Sequence, residues 1–213
     1  ETLFRAEGHQ IAAVILEPIP GNAGLFLPEP GFLERLRALC TEYEAVLIFD
    51  EVMTGFRVAR GGAQALYRIR PDLTALGKVI GGGFPVGAFG GKAEIMDRLS
   101  PDGPVYQAGT LSGNPVALAA GLAQLRELER RDGWARLETL GAALESAFRA
   151  EMGRSSLPLT FHRAGSMFCL FFTGGPVRNL TDAQRADRAA FSRYFHAALE
   201  AGVLFAPSPF EAG

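Results

Sequence analysis

Two short apolar runs separated by a helical pattern constrain the fold of this chain most strongly. The first run, IAAVIL, occupies residues 11–16, and the second, AVLIF, occupies residues 45–49. Between them, apolar residues recur at helical spacing from Phe32 to Tyr43, with Pro30 just before the segment. Continuous apolar runs are typical of strands that are buried on both faces. The order strand, helix, strand therefore predicts a βαβ unit in a parallel α/β sheet.

The composition is typical of a globular protein. The 213 residues are 48% hydrophobic and 21% charged, which excludes a disordered tail, a coiled coil and a collagen-like fibre. The 21 basic and 23 acidic residues give a net charge of −2, so no electrostatic signal favours nucleic-acid binding. Because the sequence has neither a long apolar run nor a signal peptide, we expect a cytoplasmic protein without a membrane span.

The cysteines and histidines form no metal or disulfide pattern. Cys40 and Cys169 lie in apolar surroundings and do not make a CxxC pair. His9, His162 and His196 are far apart in the sequence, without the HxxxH or HExxH spacing of metal sites. We therefore expect two buried thiols and no metal ion.

The chain is predicted to divide near residue 131. Residues 1–131 form one α/β region, and residues 132–213 form a smaller, incomplete α+β region. The smaller region is predicted to contain a helix, a strand over Met167–Phe172, a second helix that ends before Gly202, and a last strand over residues 203–210.

The larger region is predicted to continue after the βαβ unit with two short strands and a helix. One short segment ends at Lys78, and Val86–Phe89 is a plausible strand between glycines. The helix runs from Pro115 to Arg131, and Asn114 is well placed to cap it. Its apolar stripe comprises Val116, Leu118, Leu122, Leu125 and Leu128.

Asp50 ends the second apolar run. In open α/β sheets, ligand-binding groups lie at the carboxyl ends of the strands. A carboxylate buried there needs a positive partner. Asp50 is therefore either a helix cap or salt-bridge partner, or a counter-charge for a cationic ring nitrogen or a metal ion.

Lys78 is followed by Val79, Ile80 and a glycine-rich run, GGGFPVGAFGG, over residues 81–91. Glycines and apolar neighbours can remove solvent from an amine and free it as a nucleophile or base. The alternative is an ordinary surface lysine. The glycines themselves either form tight turns or allow the backbone to approach a ligand closely.

Thr110, Ser112 and Asn114 directly precede the predicted helix at Pro115. Hydroxyl groups and free N–H groups at such a position suit a phosphate. Capping of the helix explains the same residues equally well.

Three long segments are more specific than any of these residues alone: AVLIFDEVMTGFRVA, PDLTALGKVIGGGFPVGAFGG and GPVYQAGTLSGNPVALAAG. In this order they resemble the class III (subgroup II) aminotransferases, which depend on pyridoxal phosphate, and the resemblance extends over nearly the whole chain. It implies an α/β protein of fold-type I. Residues 1–131 would be the second half of a large, mostly parallel-sheet domain that binds the cofactor, and residues 132–213 most of a small C-terminal α+β domain.

The resemblance also implies roles around the cofactor ring. Lys78 would bind pyridoxal 5'-phosphate covalently and, once released, move protons between cofactor and substrate carbons. Asp50 would pair with the protonated ring nitrogen. Val52 would pack against the ring, and Asn22 would lie near its 3-hydroxyl group.

Other implied roles concern the phosphate and the partner subunit. Gly109 and Thr110 would contribute to cofactor binding, and Thr110 would reach the phosphate in the neighbouring subunit. The resemblance therefore implies a homodimer that acts on a small-molecule substrate.

Within the family, the segments are most similar to members that transfer an amino group within one substrate, with the cofactor alternating between pyridoxal and pyridoxamine 5'-phosphate. Met53 stands where most class III transaminases have Gln, and Glu211 lies near the position where many have an arginine for a substrate carboxylate. A carboxylate there would repel an α-carboxylate and favour an amine. The alternative is another class III aminotransferase.

The family's other phosphate contacts and its gating loop are not found in these 213 residues. A third hypothesis is that this chain alone is a non-catalytic folded fragment, whose exposed apolar faces would favour association. Binding of pyridoxal phosphate by the isolated chain would distinguish this hypothesis from the other two.

Overall fold

A computed structural model describes all residues from 1 to 213, and they form two compact units. The first unit comprises Glu1–Pro18 and Pro28–Gly133, and the second comprises Ile19–Leu27 and Trp134–Gly213. The predicted division at residue 131 differs from this one because the second unit also includes Ile19–Leu27. The assignment of residues 1–131 and 132–213 to parts of a large and a small domain stays a prediction.

The first unit contains a four-stranded sheet with the strand order β1-β2-β3-β4. Strands β1 and β2 are parallel, β2 and β3 are parallel, and β4 is antiparallel to β3, which confirms the predicted α/β class with a mostly parallel sheet. The elements of this unit are α1 (Thr2–Glu7), β1 (Ala13–Leu16), α2 (Phe32–Glu42), β2 (Val46–Asp50), α3 (Gly62–Tyr67), β3 (Leu73–Leu76), β4 (Ala88–Gly91), α4 (Ala93–Met96) and α5 (Pro115–Arg130).

Helix α2 covers one face of the first two strands. Its buried residues Leu33, Leu39 and Cys40 form a core cluster with Leu47 and Phe49 of β2, as the periodicity predicted. The prediction that the first strand is buried on both faces is wrong, because Ile15 is 64% exposed. The neighbouring strand residues point toward α2 and pack on the cluster, whereas Ile15 points to the opposite face of the sheet.

Helix α5 packs through small residues rather than through its leucines. Asn114 caps the helix as predicted, since its Oδ1 accepts hydrogen bonds from the backbone N–H groups of Val116 (3.1 Å) and Ala117 (3.2 Å). The predicted apolar stripe is not the packing face: its members Val116, Leu118 and Leu122 are exposed, and α5 buries Ala117 and Gly121. A Cβ atom on Gly121 would lie 1.9 Å from the carbonyl oxygen of Ile80, so only glycine allows this approach.

That contact fixes the turn after β3. The turn is a 3-10 helix over Lys78–Gly81, followed by Gly82 with a φ of 57°. A Cβ atom on Gly82 would lie 2.5 Å from the backbone oxygen of Ala120 in α5. The turn and the helix therefore pack backbone against backbone.

Glu51, which follows β2, is fully buried and organises the next loop. Its Oε2 accepts hydrogen bonds from Thr54 Oγ1 (2.9 Å) and Ala63 N (2.5 Å). Its Oε1 accepts hydrogen bonds from the backbone N and the side-chain Nε2 of Gln64, both at 3.0 Å. A Cβ atom on Gly62 would lie 2.2 Å from Oε2, so Gly62 leaves room for the carboxylate at the first turn of α3.

The second unit contains α6 (Gly133–Arg154, whose first residue belongs to the first unit), β5 (Thr160–Ala164), β6 (Met167–Phe171), α7 (Leu180–Ala183) and α8 (Arg188–Glu200). Strands β5 and β6 form an antiparallel hairpin. The strand β6 was predicted, whereas β5 was missed. The segment Ile19–Leu27 packs on this hairpin, since the backbone oxygen of Leu25 is 2.8 Å from His162 Nδ1 and Phe26 stacks on Phe171.

The predicted last strand over residues 203–210 is wrong. This segment has no regular structure, and Leu204 is 77% exposed. Pro207 and Pro209 have no N–H group to donate to a neighbouring strand, which explains why the apolar residues there do not extend the hairpin.

Cys40 and Cys169 are free, buried thiols, as predicted. Burial raises the pKa of Cys169 to about 11. No helix of the chain has the length and apolar character that a membrane span requires.

The contact between α5 and the turn generates the first prediction. Gly121→Ala should lower the free energy of unfolding by ~1–3 kcal/mol, because the methyl group would overlap the Ile80 carbonyl. The matched control is Gly153→Ala in α6, where nothing lies within 4 Å of the added atom. That control should leave stability unchanged or raise it by up to ~1 kcal/mol. Urea unfolding of both variants measures the difference, and equal effects would contradict the close packing.

The Glu51 network generates the second prediction. Glu51→Gln should lower the free energy of unfolding by ~1–3 kcal/mol, because the new amide group would face N–H donors that now have a carboxylate acceptor. Glu42→Gln, at an exposed position in α2, serves as the control and should change stability by less than ~0.5 kcal/mol. Both are measured by urea unfolding, and a tolerated Glu51→Gln would mean that the network does not hold the loop.

Candidate active site

The two residues that the sequence singled out for chemistry lie at the same edge of the sheet. Asp50 is the last residue of β2 and pairs with Ala75 of β3. Strand β3 ends at Leu76, and Lys78 follows after Gly77. Because β2 and β3 are parallel, their carboxyl ends coincide, and a carboxylate and a primary amine meet at the edge where α/β sheets bind ligands.

Lys78 has a backbone conformation that is unusual for a residue with a side chain. Its φ of 45° lies in the left-handed region, and strained residues of this kind cluster at functional sites. Its Nζ contacts Sδ of Met53 at 2.5 Å. The side chain is exposed, so the loss of solvent expected from its glycine and apolar neighbours is not found within this chain.

Lys78 differs from the only other lysine of the sequence. Lys92 Nζ lies 2.8 Å from Oδ1 of the buried Asp72, and this hydrogen bond raises the pKa of Lys92. Asp72 also accepts hydrogen bonds from the backbone N of Leu47 and from Arg37, both at 2.7 Å. Lys92 is thus a charged structural residue that joins the ends of β3 and β4, whereas Lys78 has no carboxylate partner.

Asp50 is half-buried and forms no salt bridge within the chain, so the salt-bridge interpretation is wrong. Its Oδ1 accepts a hydrogen bond from the backbone N of Val52 at 3.0 Å, which caps the turn after β2. The Val52 side chain lies against Gly77, since a Cβ atom there would be 3.2 Å from Val52 Cγ1. The structure therefore brings Asp50, Val52, Met53 and Lys78 together.

The other predicted site residues lie elsewhere in the chain. Gly109 and Thr110 are exposed in the loop before α5, where the Gly109 oxygen accepts a hydrogen bond from the backbone N of Ser112 at 2.9 Å. Thr110 makes no side-chain hydrogen bond within this chain. Asn22 and Glu211 are exposed and belong to the second unit.

One polar residue near this edge was overlooked in the sequence. Glu17 directly follows β1, and its Oε2 is the one buried side-chain nitrogen or oxygen atom that has no hydrogen-bond partner. The signal was a carboxylate at the end of an apolar strand, the same signal that identified Asp50.

The residues present fit the ring end of pyridoxal phosphate better than its phosphate end. One sheet edge carries the Lys78 amine, which has no carboxylate partner, the Asp50 carboxylate, whose Oδ2 has no partner, and the apolar side chain of Val52. An amine can react with the aldehyde of the cofactor, a carboxylate can pair with its ring nitrogen, and an apolar side chain can pack against its ring. On the phosphate side, the loop with Gly109 and Thr110 supplies a single threonine hydroxyl.

Comparison with known proteins assigns the family. The sequence model described as "Aminotransferase class-III" matches residues 1–209. The chain is 62% identical over 210 residues to a protein of Akkermansia muciniphila named glutamate-1-semialdehyde 2,1-aminomutase, covering 99% of the chain and 49% of that protein. It is 55% identical over 212 residues to a protein of the same name from Pelotomaculum thermopropionicum, covering 100% of the chain and 49% of that protein. The chain thus spans about half the length of the curated relatives it matches.

Solved structures agree with this assignment. A β-phenylalanine aminotransferase from Variovorax paradoxus matches with a TM-score of 0.91 and 35% identity, over 99% of the chain and 49% of that protein. A glutamate-1-semialdehyde-aminomutase from Pseudomonas aeruginosa, in complex with PMP, matches with a TM-score of 0.84 and 29% identity, over 98% of the chain and 48% of that protein. With its α/β sheet of fold-type I and the match over residues 1–209, the chain belongs to the class III aminotransferase family.

Proposed function

We propose that the protein to which this chain belongs converts glutamate-1-semialdehyde into 5-aminolevulinate, by moving the amino group from carbon 2 to carbon 1 of one substrate. The observation that carries this proposal is that Lys78 and Asp50 lie at the same edge of the sheet, in a chain 62% identical to a protein named for this activity. The product is a precursor of tetrapyrroles, so the enzyme would serve porphyrin biosynthesis in the cytoplasm.

The cofactor would be pyridoxal 5'-phosphate, with pyridoxamine 5'-phosphate as its amine form. When bound, it supplies an electron sink that makes the substrate carbon acidic and carries the nitrogen between the two positions. The protein contributes a nucleophile, a base and a fixed orientation.

Lys78 would perform two tasks with the same Nζ atom. As a free primary amine it would hold the cofactor covalently, and after its release it would take a proton from one substrate carbon and return it to another. The close packing of Gly82 and Gly121 at the turn would keep this amine in place during both steps.

Asp50 and Val52 would orient the ring. The carboxylate of Asp50 has an unpaired oxygen that would accept a hydrogen bond from a protonated ring nitrogen, and this negative charge would keep the nitrogen protonated. Val52, which lies against Gly77, would offer an apolar surface to the ring. Asn22 would lie near the ring hydroxyl.

The remaining residues concern the phosphate, the partner and the substrate. Gly109 and the hydroxyl of Thr110 would contribute to phosphate binding, with Thr110 serving the neighbouring subunit of a homodimer. The exposure of this loop within one chain supports such a role. The carboxylate of Glu211 would disfavour substrates that present an α-carboxylate there.

A second candidate function is transamination between two substrates. The observation that favours it is the higher TM-score and identity of the match to the β-phenylalanine aminotransferase than to the aminomutase of solved structure. The identity of 62% to the A. muciniphila protein over the whole chain outweighs it. The two functions differ in whether a separate amino donor is consumed.

The proposed function is tested with the full-length enzyme and glutamate-1-semialdehyde alone. Wild-type enzyme should form 5-aminolevulinate without any added amino donor, and Lys78→Ala should lower turnover by ~100-fold or more, because the general base is lost. Lys92→Arg, which keeps the charge beside Asp72, is the matched control and should retain wild-type turnover. The product is measured by colorimetric assay.

Two results would count against the proposal. If Lys78→Ala turned over at a rate close to that of the wild type, Lys78 would not be the catalytic residue. If the wild-type enzyme formed product only when an amino donor was supplied and consumed, transamination between two substrates would be the function.

A further inference from the structure

The loop after β1, residues 19–27, is anchored in the second unit and presents one polar side chain to solvent. Ile19 and Leu25 of this loop are fully buried. Asn22 lies between them, is exposed, and is the one residue of the loop with a polar side chain. The loop is therefore a fixed support for the side chain of Asn22.

Two backbone hydrogen bonds hold the loop on both sides of Asn22. The N–H group of Ala212 donates to the backbone oxygen of Gly21 at 3.0 Å, and the N–H group of Gly24 donates to the backbone oxygen of Phe210 at 2.6 Å. Because the backbone is tied on both sides, its anchors determine where the Asn22 side chain lies.

The side chain of His162 in β5 is a third anchor. Its Nδ1 lies 2.8 Å from the backbone oxygen of Leu25, and since a carbonyl oxygen only accepts hydrogen bonds, Nδ1 is the donor. The imidazole ring stands edge-on to Phe171, with 5.4 Å between the ring centroids, and Phe26 stacks on the same ring. His162 is thus oriented by packing and supplies the donor that the Leu25 carbonyl needs in a buried position.

We propose that His162 is a positioning residue, which holds the loop at Leu25 so that Asn22 keeps its place beside the ring hydroxyl of the cofactor. This inference rests on the proposed function, in which Asn22 lies near that hydroxyl, and adds a residue to it. His162 does not touch the cofactor in this arrangement. It acts through the backbone of the loop, in the way that supporting hydrogen bonds orient the groups that bind a ligand.

The first test measures the Kd for pyridoxal 5'-phosphate of the full-length apoprotein, from the absorbance change on binding. His162→Leu removes the donor and should raise this Kd about fivefold. His162→Asn should stay within about twofold of the wild type, because its amide nitrogen is bonded to Cγ, as Nδ1 is, and can donate to the same oxygen. His196→Leu, at an exposed position in α8, is the matched control and should leave the Kd unchanged.

A double-mutant cycle separates positioning from a general structural role. Asn22→Ala should raise the same Kd by itself. If His162 acts through Asn22, His162→Leu should change the Kd less than about twofold in the Asn22→Ala protein. A histidine that only stabilised the hairpin would have the same effect in both backgrounds.

Hydrogen–deuterium exchange of the apoprotein follows the loop without the cofactor. Deuterium uptake over residues 19–27 should rise in His162→Leu and stay at the wild-type level in His162→Asn. If His162→Leu does not fold, His162→Gln replaces it in all three measurements. Its amide nitrogen lies one bond farther from the backbone than Nδ1, so it should show the same effects as His162→Leu.

The proposal is overturned if the Kd of His162→Leu stays within about twofold of the wild type, or if Asn22→Ala leaves the Kd unchanged. It is also overturned if the two substitutions act independently, if His162→Asn is as impaired as His162→Leu, or if deuterium uptake over the loop does not rise. Turnover separates this claim from the proposed function. An enzyme that isomerises glutamate-1-semialdehyde while the two substitutions act independently refutes the role of His162 alone. An enzyme whose cofactor binding depends on His162 through Asn22, but which does not isomerise this substrate, refutes the proposed function alone.

Discussion

The parallel pairing of β1, β2 and β3 is the constraint on which the candidate site depends. Parallel strands that share one register end at the same edge, so residues far apart in the sequence become neighbours there. The register sets Glu17 level with Asp50, and the turn after β3 adds Lys78 to the same edge. Without this pairing, the two carboxylates and the amine would be unrelated residues of three separate segments.

Two further devices hold the loops at that edge, and neither involves the reacting groups themselves. The turn at Lys78 is locked because Gly82 and Gly121 let the turn and α5 meet backbone to backbone. The loop after Asp50 is locked because the buried Glu51 accepts four hydrogen bonds from the loop and from the start of α3. The two adjacent acids therefore have different roles. Both carboxylate oxygens of Glu51 accept hydrogen bonds that hold the loop, whereas Asp50 has one oxygen free to bind a ligand.

Local patterns in the sequence predicted the part of the fold that local physics decides. The periodicity of α2, the apolar run of β2 and the cap at Asn114 each reflect forces within one segment, and each is confirmed. The sequence patterns gave wrong predictions of burial where the burial of a side chain depends on which element packs against it. Ile15 and several members of the stripe on α5 are apolar yet exposed within this chain. Helix α2 covers the other face of β1, and α5 packs on its neighbours through Ala117 and Gly121.

The sequence predicted which residues form the candidate site, but not the hydrogen bonds that the residues around it make. Asp50 was found because it ends an apolar run, and Lys78 because glycines and apolar residues surround it in the sequence. The resemblance to a family gave both residues their roles. The isolation of Glu17 Oε2 and the four bonds of Glu51 could not be predicted, since both depend on which donors the folded chain brings within reach. A carboxylate after a strand has the same appearance in a sequence whether it is satisfied or not.

The central claim is that Lys78 is the residue that binds the cofactor, and mass spectrometry tests it most directly. The full-length protein is incubated with pyridoxal phosphate, reduced with borohydride, digested and mapped. The account predicts a pyridoxyl adduct on Lys78 and none on Lys92, whose amine is held by Asp72. An adduct on Lys92, or full incorporation of the cofactor with Lys78 unmodified, would contradict it.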